Sequence, residues 1–175
     1  MSYFTDSREL QEELEAFLRR FLDSPEGAAA RERAAALTDS ASLVLHVVDP
    51  DLTVAIDFLA ATISTQPPPD ADIEIELDAV ALHDILLERL DPVQISRLYE
   101  TDRLRFSGES GNLAALIMLA GPLQPFYEES LRERGRDDLL ATPLPETKMA
   151  WLDEGPYREV IGRRRPWQRA KKATA

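Results

Sequence analysis

His46 and His83 are the side chains of this chain with ordinary pKa values near neutrality, so they are the first candidates for acid–base chemistry. His46 stands between Leu45 and Val47 in a β-branched stretch and reads as a sheet position, either buried and satisfied or exposed on the sheet. His83 lies among Leu82, Ile85 and Leu87. Its four-residue spacing to Leu87 places it at the solvated edge of an apolar helix face, where it could anchor a carboxylate or act as a base. Asp84 is its neighbour, but adjacent helical side chains diverge by about 100° and do not chelate one ion together. With no HxxxH spacing and no cysteine, the sequence offers no metal centre, thiol nucleophile or disulfide. No GxSxG context activates a serine.

The remaining charged constellations read as surface. Glu74/Glu76 and Asp70/Asp72 share strand faces that alternation turns to water. Ser107-Gly108-Glu109-Ser110-Gly111 precedes a helix whose N-terminus could receive an anion, but Glu109 opposes one and the spacing is not that of a phosphate loop. It is read as a turn with an N-cap at Ser110. Arg103 and Arg105 alternate with Leu104 and Phe106 and are read as pointing away from the core, to water or a phosphate head group. No catalytic residue and no cofactor follow from this inventory. An enzymatic reading would have to use His83, Asp84 or Tyr99.

The elements that must position these residues are legible from periodicity. Residues 6–23 form an amphipathic helix with Leu10, Leu14, Phe17, Leu18, Phe21 and Leu22 on one face, started by Asp6 with Glu9 three residues on. Ser24-Pro25 opens a second, alanine-rich helix over 25–37. Ser42–Asp49 and Leu52–Phe58 form a hairpin about Asp49-Pro50-Asp51, and Ala61–Gln66 extends the sheet as far as Pro67-Pro68-Pro69. Ile73–Leu77 alternates with Ile73, Ile75 and Leu77 inward. Asp78 caps a helix over 79–89, Pro92 begins another over 92–100, and a strand follows through Leu104 and Phe106. The segment 112–120, NLAALIMLA, is apolar all round, so it must be covered on every side or line a cavity. A last amphipathic helix spans 123–134 and ends at Gly135. After Asp138 the pattern dissolves into a Pro-rich arm, so the body is placed at 1–140 and the arm at 141–175.

Charge divides the chain. The formal net charge is −12, yet from Pro156 onward seven basic residues oppose only Glu159, so this tail carries +6 and the preceding 155 residues carry −18. An acidic body repels phosphate backbones, which argues against nucleic acid. The tail GRRRPWQRAKK is read as docking on the acidic body or an acidic partner, with an anionic membrane surface as the second reading. The first twenty residues do not read as a signal peptide, and no run of about 18 apolar residues is present, so a cytoplasmic protein is expected.

From Asp72 to Gly121 the order ADIEIELD, helix from Ala79, DPVQISRLYE, RLRFSGE and NLAALIMLA resembles the sterol carrier protein type 2 family. The flanking VVDPDLTVAIDF and PFYEESLRERGRDDLL are similar to its bacterial members. The chain departs from the pattern near Glu88–Leu90, where a glycine is common, and at ISTQPPP, which replaces a glycine turn. The resemblance implies an α+β fold: a mixed, mostly antiparallel sheet with helices packed on one face around an apolar tunnel. It also implies a hydrophobic small molecule or lipid as partner (a fatty acid, acyl-CoA, sterol or isoprenoid-like molecule). The expected walls are Phe58, Leu82, Leu86, Leu98, Leu113, Leu116, Ile117 and Ala120, and the plainer reading of any one of them is ordinary core. Two alternatives stand beside lipid carriage. One is a biosynthetic enzyme that shapes a hydrophobic substrate in the tunnel. The other is an interaction module, monomer or homodimer, whose helices 6–23 and 123–134 cover a partner.

Overall fold

Asp6 starts the first helix: its carboxylate accepts from the Glu9 N–H at 2.8 Å, satisfying one of the unpaired donors of the first turn. Helix α1 (Ser7–Asp23) buries the stripe from Leu10 to Leu22 that its spacing specifies. Ser24 both ends α1 and caps α2 (Pro25–Ala35), its hydroxyl donating to the Phe21 carbonyl at 2.7 Å and accepting from the Gly27 N–H at 2.9 Å. The joint is so close that a Cβ on Gly27 would lie 2.0 Å from the Phe21 carbonyl oxygen. The computed structural model describes residues 3–36, 38, 41–68, 71–90, 92–108, 112, 119 and 121–142.

Strands β1 (Ser42–Val48), β2 (Asp51–Asp57), β3 (Thr62–Ser64), β4 (Ile73–Leu77) and β5 (Leu104–Gly108) make one sheet of order β3-β2-β1-β4-β5. β1 and β4 run parallel, and the other neighbours run antiparallel. The β1–β4 crossover is what makes the sheet mixed. Register places Leu43, Leu45 and Val47 beside Leu52, Val54 and Ile56 on one flank and beside Ile73, Ile75 and Leu77 on the other. Ile75 and Leu77 pair in turn with Phe106 and Leu104. Period-two alternation in four strands therefore makes one continuous apolar face, and Ser42, His46, Glu74, Glu76, Arg105 and Ser107 fall on the other. Ser42 and Asp72 lock the β1 and β4 starts together: the Asp72 carboxylate accepts from the Ser42 N–H at 2.9 Å, and the Ser42 hydroxyl accepts from the Asp72 N–H at 3.0 Å. Gly108, at φ +138, passes so close to Asp72 that a Cβ would lie 2.5 Å from its carbonyl oxygen.

Asp78 caps α3 (Ala79–Leu86) through the Ala81 N–H at 2.9 Å. Then come α4 (Pro92–Glu100), α5 (Leu123–Glu133) and a short α6 (Asp137–Leu140). The last of these lies just where the apolar pattern fades, and it carries Leu139 into the core. α3, α4 and α5 end alike. A residue in the left-handed region (Glu88 at φ 51, Asp102 at φ 59, Gly135 at φ 69) lets the next N–H reach back five residues, from Arg89 to Asp84, Arg103 to Leu98 and Arg136 to Leu131. Only the last of these caps uses glycine.

The faces of α1 and α5 meet each other. Phe17 stands edge-on to Tyr127 and Phe21 to Phe126, with ring centroids 5.1 and 5.5 Å apart. Arg20 pairs with Glu129 and Glu133, and Arg134 pairs with Glu12 and Glu13. The apolar stripes of 6–23 and 123–134, which the interaction-module reading turns toward a partner, are buried within the chain. Asn112 and Leu119 are helical, and Leu119 is fully buried. Leu113, Leu116, Ile117 and Ala120 lie outside the described residues, as do Asp70, Glu109, Ser110 and the basic tail. Among the described residues no helix is long and apolar enough to cross a membrane.

Candidate ligand-binding site

The apolar sheet face is not evenly covered. Over β1 and β2 its side chains are buried, from Leu43 and Leu45 to Val54 and Ile56. Toward the β5 edge Ile75, Leu104 and Phe106 stay half-buried, although they continue the same face in register. Ile85 and Leu86 of α3 are also half-buried, and all five pack against the hydrophobic core. An apolar surface left partly open at the margin of the core is a place where a greasy ligand lowers the free energy by leaving water.

Of the residues expected as walls, Phe58 and Leu98 are fully buried core and Leu82 is buried, while Leu86 stands at the half-buried margin. Sequence reasoning placed Ile75, Leu104 and Phe106 on the inner face but did not single them out as a site. Alternation reports which face a strand residue takes, not how well that face is covered.

The polar side chains behind this surface correct two readings. His83 is not at a solvated edge; it has no exposed surface. Its Nε2 lies 3.2 Å from the Leu139 carbonyl, which can only accept, so Nε2 carries the proton and Nδ1 accepts from the Tyr127 hydroxyl at 2.8 Å. Tyr3 and Tyr127 stand edge-on to the ring. Burial first, then the charge of Arg89, lowers the His83 pKa to about 4, so the imidazole is neutral near pH 7. Asp84 is 1% exposed, and its carboxylate is 3.6 Å from the Arg89 guanidinium. Burial outweighs that attraction and raises its pKa to about 6. Arg89 is itself engaged by the Leu139, Leu140 and Thr142 carbonyls at 2.8–2.9 Å. The cluster ties α3 to the end of α6, and α5 joins it through Tyr127.

Arg103 and Arg105 do not both point to open water. Arg103 is buried and grips the Asp78 carboxylate through Nε at 3.0 Å and Nη2 at 2.6 Å, so the α3 cap and the α4–β5 turn are held by one ion pair. Arg105 is half-buried beside Glu76 at 3.4 Å and Asp102 at 3.8 Å on the polar sheet face. His46 shares that face, with Nδ1 3.1 Å from the Thr53 hydroxyl. Tyr99 is 52% exposed on α4 and borders the same polar face, whereas His83 is enclosed with Tyr127. Among the described residues no group of three or more metal-ligating side chains forms.

No family model matches the chain, and no curated protein matches it. Among solved structures it is similar to a UbiJ-SCP2 ubiquinone synthesis protein, at 23% identity over 64% of this chain and 93% of that one, with a TM-score of 0.46. It is also similar to sterol carrier protein 2 from Yarrowia lipolytica in its apo form, at 16% identity over 74% and 98% of the two chains, with a TM-score of 0.43. Sterol carrier protein 2 like 2 from Aedes aegypti is similar at 12% identity over 65% and 98%, with a TM-score of 0.40. The chain itself is α+β, with helices and an open, mixed five-stranded sheet.

Proposed function

We propose that this chain binds a hydrophobic small molecule of the fatty acyl, acyl-CoA, sterol or isoprenoid-like class and carries it without chemical change. The observation that carries the reading is the half-buried patch of Ile75, Leu104 and Phe106, which continues the sheet's apolar face beyond the part that the core covers. Leu86 stands at its margin. Phe58, Leu82 and Leu98 are proposed as the fixed wall behind it, and Leu113, Leu116, Ile117 and Ala120 as the wall that closes an internal tunnel. Removing one methylene from water contributes about 0.8 kcal/mol, so a long acyl chain supplies roughly 10 kcal/mol against association costs of several. No catalyst is needed for that role. His83, the base an enzymatic reading would use, has both ring nitrogens engaged inside the protein.

Solvent extraction of the purified protein followed by mass spectrometry, with titration of a fluorescent fatty acid, tests the proposal. A co-extracted lipid or saturable binding displaced by acyl-CoA or sterol is expected. A protein that yields no lipid and binds none of these classes overturns it.

A further inference from the structure

The polar face of the sheet carries an open cleft of about 540 Å³ that reaches the β5 edge, where Leu104 and Phe106 of the proposed lipid site also border it. Its described lining includes the carboxylates of Asp51, Glu74, Glu76 and Asp102 and the guanidinium of Arg105. Glu76 and Asp102 share Arg105, while Asp51 and Glu74 stand exposed. The cleft also holds Val48 and Tyr99, which are 43% and 52% exposed and so offer apolar surface beside negative charge. Several acidic residues of the helical layer are different. Glu9, Glu12, Glu13, Glu128 and Glu133 each already meet an arginine from their own or a packed helix.

We propose that the basic segment Arg158–Lys172 of this same chain docks in this cleft, with Trp167 against Tyr99 and Val48 and the flanking arginines against the carboxylates. Charge complementarity selects the occupant: the segment carries seven basic residues and one acidic one, and Trp167 lies between Arg165 and Arg169. An aromatic ring next to guanidinium groups suits a site that pairs a tyrosine face with carboxylates. Reach is ample. The last described residue is Thr142, whose carbonyl Arg89 holds at 2.9 Å. The stretch from there to Tyr157, at about 3.3 Å per residue, spans roughly 50 Å. A body of this size has a radius of gyration of about 14 Å. An intramolecular ligand tethered so closely binds at a high effective concentration, so weak contacts suffice.

The chain has no cysteine, so the test is direct. A nitroxide attached to Ala170→Cys in the full chain should broaden the amide signals of Val48, Glu74 and Ser107. This broadening should not depend on protein concentration. It should be lost in 1 M salt, where the Debye length falls to about 3 Å. It should also be lost in the Glu74→Lys variant and, with the folded body untouched, in the triple variant Arg163→Glu, Arg164→Glu, Arg165→Glu. Broadening that is absent, spread over the whole surface or confined to another face overturns the proposal. So does broadening that grows with concentration, which places the tail on a second copy. Cleft signals that stay sharp while the label is immobilised only by anionic phosphatidylserine vesicles assign the tail to a membrane and equally overturn it. Because Leu104 and Phe106 border both sites, the broadening is read on lipid-extracted protein and fatty acid binding is titrated separately, so that failure of one proposal is distinguishable from failure of the other.

Discussion

Replacing Asp84 by Asn isolates the balance between burial and ion pairing at the most enclosed carboxylate. In the folded chain Asp84 has a pKa of about 6, against 3.8 for an ordinary aspartate carboxyl, because burial opposes the charge more than Arg89 favours it. A raised folded pKa means that its stabilising contribution is complete below about pH 3.8 and is lost as pH rises through about 6. The difference of about two pKa units corresponds to about 3 kcal/mol. Asn mimics the protonated carboxyl and cannot titrate. Urea unfolding of both proteins from pH 4 to pH 7, followed by circular dichroism, gives the two stabilities at each pH. Relative to the wild type, Asp84→Asn is expected to gain about 2 kcal/mol between pH 4 and pH 7, with most of the change between pH 4 and 6. Other groups common to both proteins cancel in the difference. A difference that is flat with pH, or one that falls as pH rises, would refute the reasoning, because the Arg89 pairing at 3.6 Å would then outweigh burial. His83 titrates in the opposite sense. Its folded pKa is lowered to about 4, so stability is lost as pH falls from about 6.5 toward 4. The two terms largely offset each other in the wild type, and the variant should show the acid sensitivity of His83 uncovered.

His83→Leu should remove that acid sensitivity and leave the Tyr127 hydroxyl buried without its partner, at a cost of about 1–3 kcal/mol at pH 7 by the same unfolding assay. Gly27→Ala would push a methyl group into the Phe21 carbonyl, with backbone on both sides and no side chain to yield. A loss near the upper end of overpacking costs, about 3 kcal/mol, is expected in thermal or urea unfolding. Glu88→Gly should stabilise by about 0.5–1 kcal/mol, because relief of a left-handed non-glycine residue exceeds the added chain entropy; no gain in the urea midpoint would count against strain at that cap. Phe106→Lys should leave the unfolding midpoint close to that of the wild type and weaken fluorescent fatty acid binding roughly tenfold or more; unchanged affinity would remove the β5 edge from the site.

Local rules were enough for much of this architecture. Asp6, Ser24 and Asp78 cap helices because each is a short acceptor placed three residues before an N–H that nothing else in the helix can satisfy. The alternation of Ile73, Ile75 and Leu77 told which face they take. The environments of His83, Arg103 and Arg105 were not legible. His83 is enclosed by Tyr3, Tyr127 and Leu139, and Arg103 finds Asp78, partners 25 to 80 residues away along the chain. A lone histidine beside leucines, or an arginine beside a strand, looks the same in sequence whether its partner is water or a buried hydroxyl. The amino-acid sequence by itself determined caps, strand faces and the separation of acidic body from basic tail, because those depend on neighbours within a few residues. Only the tertiary structure decided which polar groups are buried, and where the apolar sheet face stays half-covered, because burial depends on which distant elements come to rest on a surface.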